Sequence, residues 1–161
     1  MRHSKSLTAP ITAAVVAVAL GAAARPAHAD ATLDRVATHL YYHQSGAVDD
    51  REASALQLWN TTIGEGDAKA ASGAVIVHVT VSGGETIDKG VIEVVARAGK
   101  KRLFKQRVSL DDYLIEKGKP VIVPFVLYGT GCQSLEVAAT LQAGRKKLGE
   151  KAVVLPFACA E

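Results

Sequence analysis

The sequence has few of the residues that make catalytic, redox or metal centres recognisable. Its single methionine is the initiator, which excludes a methionine-rich copper site. Its two cysteines do not form a Cys-x-x-Cys pair, which argues against a thiol redox centre. Neither a Gly-x-Ser-x-Gly turn nor a His-Glu-x-x-His motif occurs. We therefore predict a protein that is not an enzyme and has no cofactor. The alternative is an enzyme, but the sequence contains no motif from which its reaction could be specified.

Long apolar runs are also scarce, and the one that occurs lies at the beginning of the chain. Arg2 and Lys5 precede an Ala-, Val- and Leu-rich stretch over residues 7–24, and Ala27-His28-Ala29 has the A-x-A pattern of a cleavage site. This order is typical of a secretory signal peptide. We predict that residues 1–29 are cleaved and that residues 30–161 form a single domain.

The mature chain has no second apolar run of about 18 residues, so we predict no membrane anchor after cleavage. Twin arginines are absent from the leader. The residue directly after the predicted cleavage site is Asp30 and not a cysteine to which a lipid could be attached. The Ala-rich leader indicates a bacterial protein. We expect a periplasmic or secreted location.

An excess of positive charge is missing from the predicted mature chain. Removal of Arg2, Lys5 and Arg25 leaves 16 basic against 16 acidic side chains. Nucleic-acid binding needs a basic excess or a dense basic patch, so we predict no nucleic-acid partner. The basic triplets at 100–102 and 145–147 each lie beside a glycine. We interpret them as solvated turn charges, the alternative being a rim that binds a partner.

Short segments of alternating apolar and polar residues, separated by turns, fill the chain from residue 74 onward. This period of two is typical of half-buried strands. Pro124 lies within one of them and indicates an edge position or a bulge. We predict a mainly β protein, a single antiparallel β-sandwich of immunoglobulin-like architecture. The predicted strands cover residues 75–81, 91–97, 103–110, 120–128, 135–141 and 152–157.

The segment before residue 74 is mixed. Residues 33–41 carry a helical apolar stripe, but Val36, Thr38, Leu40 and Tyr42 also alternate, and the adjacent tyrosines slightly favour a strand. Residues 49–52 resemble a capping box, which predicts at most a two-turn helix over 53–59. The glycine-containing stretch at 60–73 is predicted to be a long loop.

Cys132 and Cys159 allow one intramolecular pairing in an exported chain. We predict a structural disulfide between them. It would close a loop of about 28 residues and contribute roughly 3–4 kcal/mol by the chain-entropy argument. The alternative of a reactive thiol lacks a cationic neighbour or histidine within three positions.

His39 and His43 offer the one metal hypothesis. On a helix they would share a face and could bind Zn or Cu, whereas on a strand they would lie about 13 Å apart. The third ligand would come from a set of side chains elsewhere in the chain. That set is His78, Asp49, Asp50 and Glu65. The alternative is that both histidines are polar residues on a solvated face.

The segment from Trp59 to Asp67, called here the contact loop, holds the only tryptophan beside polar and glycine residues. Tryptophan is a frequent anchor of interfaces, and glycine allows close approach of a partner. The alternative is that Trp59 fills one end of the sandwich under the loop. The candidate partner-binding residues are Trp59, Asn60, Thr61, Thr62, Gly64, Glu65 and Gly66. Together these features predict an exported, non-enzymatic binding module for a protein or glycan partner in the cell envelope. The alternative function is a periplasmic metal-binding protein that uses His39 and His43.

Overall fold

The computed structural model describes residues 31–59, 65–83, 90–111, 113, 119–131 and 133–158. The signal peptide predicted for residues 1–29 lies outside the described residues. Apart from one 3-10 turn, the regular structure of the described residues consists of strands. No helix in these ranges has the length and hydropathy needed to cross a membrane.

Two four-stranded antiparallel sheets form the body of the protein. The first sheet has the order β2-β1-β5-β8 and the second has the order β10-β9-β6-β7. The strands of the first are β1 (Thr32–Tyr42), β2 (Ala47–Val48), β5 (Ala74–Ser82) and β8 (Val121–Tyr128). Those of the second are β6 (Gly90–Ala98), β7 (Lys101–Ser109), β9 (Leu135–Ala143) and β10 (Lys146–Leu155). A small third sheet joins β11 (Phe157–Ala158), β3 (Leu58–Trp59) and β4 (Glu65–Gly66), in that order.

The period-two alternation of the sequence accounts for the core. In β5 every second residue is a fully buried valine, and the residues between them are only partly buried. The same alternation in β9 turns Leu135, Val137, Ala139 and Leu141 inward. Side chains from the inner faces of both sheets form one hydrophobic cluster, as in a β-sandwich. The predicted mainly β, antiparallel sandwich is confirmed.

The order of the seven long strands matches an immunoglobulin-like sandwich. The first, second and fifth lie side by side in one sheet as β1, β5 and β8. The seventh, sixth, third and fourth lie side by side in the other as β10, β9, β6 and β7. Constant-type immunoglobulin domains likewise have the first, second and fifth strands in one sheet and the third, sixth and seventh in the other. They differ from this chain in the fourth strand, which there lies in the first sheet.

Both sheets end in strands whose outer edges carry a protective feature. Pro124 lies in β8, the edge strand of the first sheet, so the position expected from its missing N–H is confirmed. In β7, the edge strand of the second sheet, Leu103 is an extra residue between the pairs made by Arg102 and Phe104. Prolines and bulges at edges prevent pairing with another chain.

On the opposite side, β1 lies against β10 and holds the two sheets together. A Cβ atom added to Gly149 of β10 would lie 3.1 Å from Cβ of Leu33 in β1. The register of β10 shifts between Lys147 and Gly149, which marks a bulge at this contact. Glycine therefore allows the backbones of the two sheets to approach closely here.

Residues 33–42 lie in β1, so the preference for a strand over a helix in this segment is confirmed. The helix predicted over 53–59, of two turns at most, is limited to a single 3-10 turn, Ala53–Ala55. Glu52 precedes this turn without a capping side-chain bond, and the carboxylate of Asp49 is held by other groups described below. Without a cap, so short an apolar segment does not sustain a helix.

The last long strand begins at Lys146, six residues before the predicted start. It follows directly on the turn at Gly144, which has a φ of +56°. Residues 146–151 pair with β9 although they are mostly polar. They lie on an edge strand, where solvent accepts charged side chains, so burial does not impose alternation on them.

Candidate functional site

A buried polar cluster lies at the end of β1, where the chain turns through residues 43–46 into β2. Its centre is Asp49, whose side chain is 0% exposed. The hydroxyl of Tyr42 donates to Asp49 Oδ2 at 2.5 Å. Arg51 donates from Nε to Oδ1 at 3.2 Å and from Nη2 to Oδ2 at 3.0 Å. The backbone N–H of Arg51 also donates to Oδ1, so the carboxylate is satisfied on both oxygens.

These contacts fix the protonation states of the cluster. The hydrogen bonds from Arg51 hold the pKa of the Asp49 carboxyl well below its usual range, against the opposing effect of burial. Burial, followed by the neighbouring carboxylate, raises the pKa of Tyr42. At neutral pH Asp49 is therefore an anion and Tyr42 a neutral donor. A general acid or base needs a pKa near neutrality, and both pKa values are shifted away from it. The hydrogen bonds of the cluster therefore serve to hold the chain segments together.

Lys69 connects this cluster to the chain that leads into β5. Its backbone N–H donates to the hydroxyl of Tyr42 at 3.0 Å, and its ammonium group donates to Asp50 at 2.8 Å. The same ammonium lies 3.5 Å from Asp49 Oδ1. The hydrogen bond to Asp50 is the main reason that the pKa of Lys69 is raised. Residues on both sides of the contact loop are thus tied to the end of β1.

The contact loop is held at its base by Asp67. The carboxylate of Asp67 accepts the N–H of Gln57 at 2.7 Å, and the N–H of Asp67 donates to the carbonyl of Gln57 at 2.9 Å. Arg51 Nη2 donates to the carbonyl of Asp67 at 2.7 Å. Arg51 therefore joins the buried Asp49 to the base of the contact loop through one guanidinium group.

The strands β3 and β4 continue this base into the loop. Leu58 is the partner of Gly66 and Trp59 the partner of Glu65 in an antiparallel pair. On the other side of β3, Ala158 of β11 lies parallel to Trp59. The main chains of Trp59, Glu65 and Gly66 are therefore brought together, and Gly66 has a φ of +75°, which suits glycine. The other candidate partner-binding residues, Asn60, Thr61, Thr62 and Gly64, lie outside the described residues.

Cys132 and Cys159 also lie outside the described residues. Their neighbours along the chain are the ends of the paired strands β9 and β10. Leu135 and Leu155 are Cα partners at one end of this pair. Cys132 precedes Leu135 by three positions and Cys159 follows Leu155 by four.

The structure separates the two histidines of the metal hypothesis. His39 lies in β1, and His43 lies in the turn after it, so the helical arrangement in which they share a face does not occur. The ring of His43 contacts Tyr41, at 5.2 Å between centroids, and Tyr128, at 6.5 Å. The ring of His39 instead lies 5.3 Å from the ring of His78. Among the described residues, no three His, Cys, Asp or Glu side chains are placed to hold a metal ion.

His39 is fixed by the loop that follows β2. Its Nδ1 lies 3.0 Å from the carbonyl oxygen of Asp49 and 3.1 Å from that of Arg51. Since carbonyl oxygens only accept, Nδ1 carries the proton. Burial, and after it the neighbouring ring of His39, lowers the pKa of His78.

The buried cluster is the feature that sequence reasoning missed. Asp49 looked like part of a helix cap because the residues around it are polar and Glu52 follows three positions later. The signal that identifies its true role is the Ser45-Gly46 dipeptide, a turn former. A hairpin at Gly46, whose φ is +69°, pairs Tyr41 with Val48, and the residue after β2, Asp49, donates its N–H to the carbonyl of Leu40. The Asp49 carboxylate thereby comes within reach of the Tyr42 hydroxyl.

A search with protein-family models finds no match to this chain, and a search of curated proteins finds no significant match to its sequence. What the protein does is therefore inferred from its own geometry.

Proposed function

We propose that this chain is an exported, non-enzymatic binding module whose contact loop meets a protein or glycan partner in the cell envelope. The observation that carries the proposal is the double anchoring of that loop. Arg51 bonds both the buried Asp49 carboxylate and the carbonyl of Asp67, while Asp67 bonds the main chain of Gln57. A loop presented from a rigid base loses little conformational entropy on binding.

Two further features support the same function. Pairing of β3 with both β4 and β11 gives the loop a sheet at its base, so its two ends are fixed relative to the sandwich. Between these ends, the segment from Asn60 to Gly64 follows the lone tryptophan and has three polar residues, one isoleucine and a final glycine. Polar loops with an aromatic anchor are typical of surfaces that bind proteins or glycans.

Export is part of the proposal and rests on residues 1–29, with the signal-peptide pattern described above. A disulfide between Cys132 and Cys159 belongs to it as well. Leu135 and Leu155 are paired at one end of the β9–β10 pair. Cys132 lies three residues before Leu135 and Cys159 four residues after Leu155, so both cysteines are connected to this same end by short segments. Thiol titration of the denatured exported protein should detect no free thiol before reduction, and two free thiols would contradict this part.

The test of the binding surface is affinity capture from the native envelope with wild type, Trp59→Ala and Thr62→Ala. We expect both variants to lose the captured partner. The matched control is Leu103→Ala, which removes an exposed apolar side chain from β7 in the second sheet. Far-UV circular dichroism and thermal unfolding must first show that each variant folds. If folded Trp59→Ala and Thr62→Ala capture every partner that the wild type captures, the contact loop is not the binding surface.

A further inference from the structure

The histidine pair on the outer face of the first sheet is not part of the contact loop, and it adjoins the buried polar cluster only through the backbone carbonyls of Asp49 and Arg51. His78 in β5 is the Cα partner of Ala37, two residues before His39 in β1. The two side chains are therefore diagonal neighbours on one face of adjacent strands, a separation that long or aromatic side chains can bridge. Their ring centroids lie 5.3 Å apart, with the planes inclined by 46°.

That distance fits two imidazoles bound to one ion. With metal–nitrogen bonds of about 2.0–2.1 Å, two imidazoles on a tetrahedral ion have ring centroids about 5 Å apart. The separation of the two rings is therefore compatible with a shared ion. His39 and His43, in contrast, would lie about 13 Å apart if the strand geometry of β1 continued.

The hydrogen bonds of His39 leave the correct nitrogen available. Its Nδ1 donates to the carbonyls of Asp49 and Arg51, so in the neutral imidazole the lone pair resides on Nε2. Those carbonyls follow β2, on one side of β1, and β5 lies on the other side. The two nitrogens of an imidazole face different ways, so Nε2 faces away from those two carbonyls, and the neighbouring ring is that of His78. Metal-bound histidines are typically oriented by such a carbonyl on the opposite nitrogen.

Positive charge near the pair is already neutralised. The guanidinium of Arg51 bonds Asp49 and the carbonyl of Asp67, and that of Arg35 forms an ion pair with Glu52. A cation at the two imidazoles would therefore meet little uncompensated repulsion. The described residues supply no third ligand of the His, Cys, Asp or Glu type, so water would complete the coordination.

We propose that His39 and His78 form a two-imidazole chelating site for a late first-row divalent metal ion. Imidazole suits Cu, Ni and Zn, and the order of stability of their complexes makes Cu²⁺ the tightest. The site is exchangeable, because two protein ligands leave the remaining positions to solvent.

The test is calorimetric titration of the exported protein, residues 30–161, with Cu²⁺, Ni²⁺ and Zn²⁺, with Mg²⁺ as the oxygen-preferring control. We expect His78→Gln and His39→Ala each to weaken Cu²⁺ binding at least about tenfold. His43→Ala is the matched control and should bind as the wild type does. His3 and His28 lie within the predicted signal peptide, so the exported protein carries only His39, His43 and His78.

His78→Gln is the deciding variant, because it keeps a polar side chain on β5 and leaves the hydrogen bonds of His39 intact. Electron paramagnetic resonance of the Cu²⁺ complex should show coupling to two imidazole nitrogens in the wild type and to one in His78→Gln. Equal affinity of wild type and His78→Gln would overturn the proposal. So would a loss in His43→Ala as large as that in His78→Gln, which would favour the pairing of His39 with His43.

Discussion

The outer faces of the two sheets differ in character, although their inner faces join in one apolar core. The outer face of the first sheet carries histidine, tyrosine, proline and aliphatic side chains. They include His39, Tyr41, Ile76, His78, Pro124, Val126 and Tyr128. On the outer face of the second sheet, charged side chains are frequent. They include Glu93, Arg97, Arg102, Lys105, Arg107 and Glu136.

This difference shows that burial restricts the residue type on only one face of each strand. The inward positions of both sheets must be apolar because they are removed from water. The outward positions are free, so the second sheet uses charges such as Glu93 and Lys105, whose ion pair at 2.9 Å is open to solvent. The first sheet instead carries the half-buried histidine pair and adjoins the Asp49 cluster. The half-buried polar groups discussed above, the histidine pair and the Asp49 cluster, therefore lie on the side of the first sheet.

The two edge strands β8 and β7 extend the comparison to the core. Phe125 in β8 is 1% exposed, whereas Phe104, which points inward from β7, is only partly buried. Phe125→Ala should therefore lower the free energy of unfolding by about 3–5 kcal/mol. Phe104→Ala should cost less than half of that, because fewer neighbours are lost. Urea unfolding of both variants measures the difference, and equal losses would contradict the view that the core is denser at β8 than at β7.

The Asp49 cluster gives the next largest effect. Asp49→Asn removes the charge that Arg51 and Tyr42 bind, and should destabilise the fold by about 2–3 kcal/mol. The matched control is Asp50→Asn, since the Asp50 side chain is 81% exposed and its loss should change stability little. Chemical denaturation of the two variants checks the prediction, which fails if the neighbouring substitutions have the same effect.

The same pair of variants has a pH signature. Because the folded pKa of Asp49 lies below its ordinary value of 3.8, Asp49 stabilises the fold above about that pH. This contribution should decline as the pH falls further and the folded carboxyl becomes protonated. Asp49→Asn should lack this part of the acid dependence, and Asp50→Asn should keep it. Urea unfolding between neutral pH and pH 2.5 provides the measurement.

Thr38 is a polar residue in the core of the first sheet. It is 0% exposed, and its hydroxyl has no hydrogen-bond partner. Thr38→Val keeps the branched shape and removes the unsatisfied hydroxyl, so it should stabilise the protein by about 1 kcal/mol. Thr80→Val, on the half-buried outer side of β5, serves as the control with a smaller expected change. A loss of stability in Thr38→Val would show that the hydroxyl has a role in the core.

The ion pairs of the second sheet should matter least. Glu93 contacts Lys105 at 2.9 Å and Arg107 at 3.6 Å, and both basic side chains are about half exposed. Glu93→Gln should therefore change the free energy of unfolding by less than about 1 kcal/mol, with the difference decreasing as salt is added. Thermal unfolding at low and high salt measures it. A larger effect that does not depend on salt would mean that this face is not a solvated one.

Most of the strands could be predicted because their signal is local. The valines of β5 alternate without interruption. Pro124 indicates an edge strand, because its backbone nitrogen cannot donate a hydrogen bond. The start of β10 could not be predicted, because residues 146–151 pair on an edge where burial imposes no pattern. The helix over 53–59 was expected from a capping pattern that the tertiary contacts of Asp49 override.

The candidate site divides in the same way. Trp59 and the glycines that follow it are visible in the sequence, whereas their anchoring by Arg51 and Asp67 joins positions 16 residues apart. His39 was noticed because His43 lies four positions away, yet its actual neighbour is His78 on the next strand. Sequence spacing indicates partners only within one element, and here the contact is made between two.

The sequence by itself determined that this protein is a β-sandwich, because inward positions must alternate wherever one face of a sheet is removed from water. Only the tertiary structure decided which polar side chains meet. Strand order and register bring His39 to His78. A contact between strands depends on pairing across the sheet, and the local preferences of either segment do not contain that information.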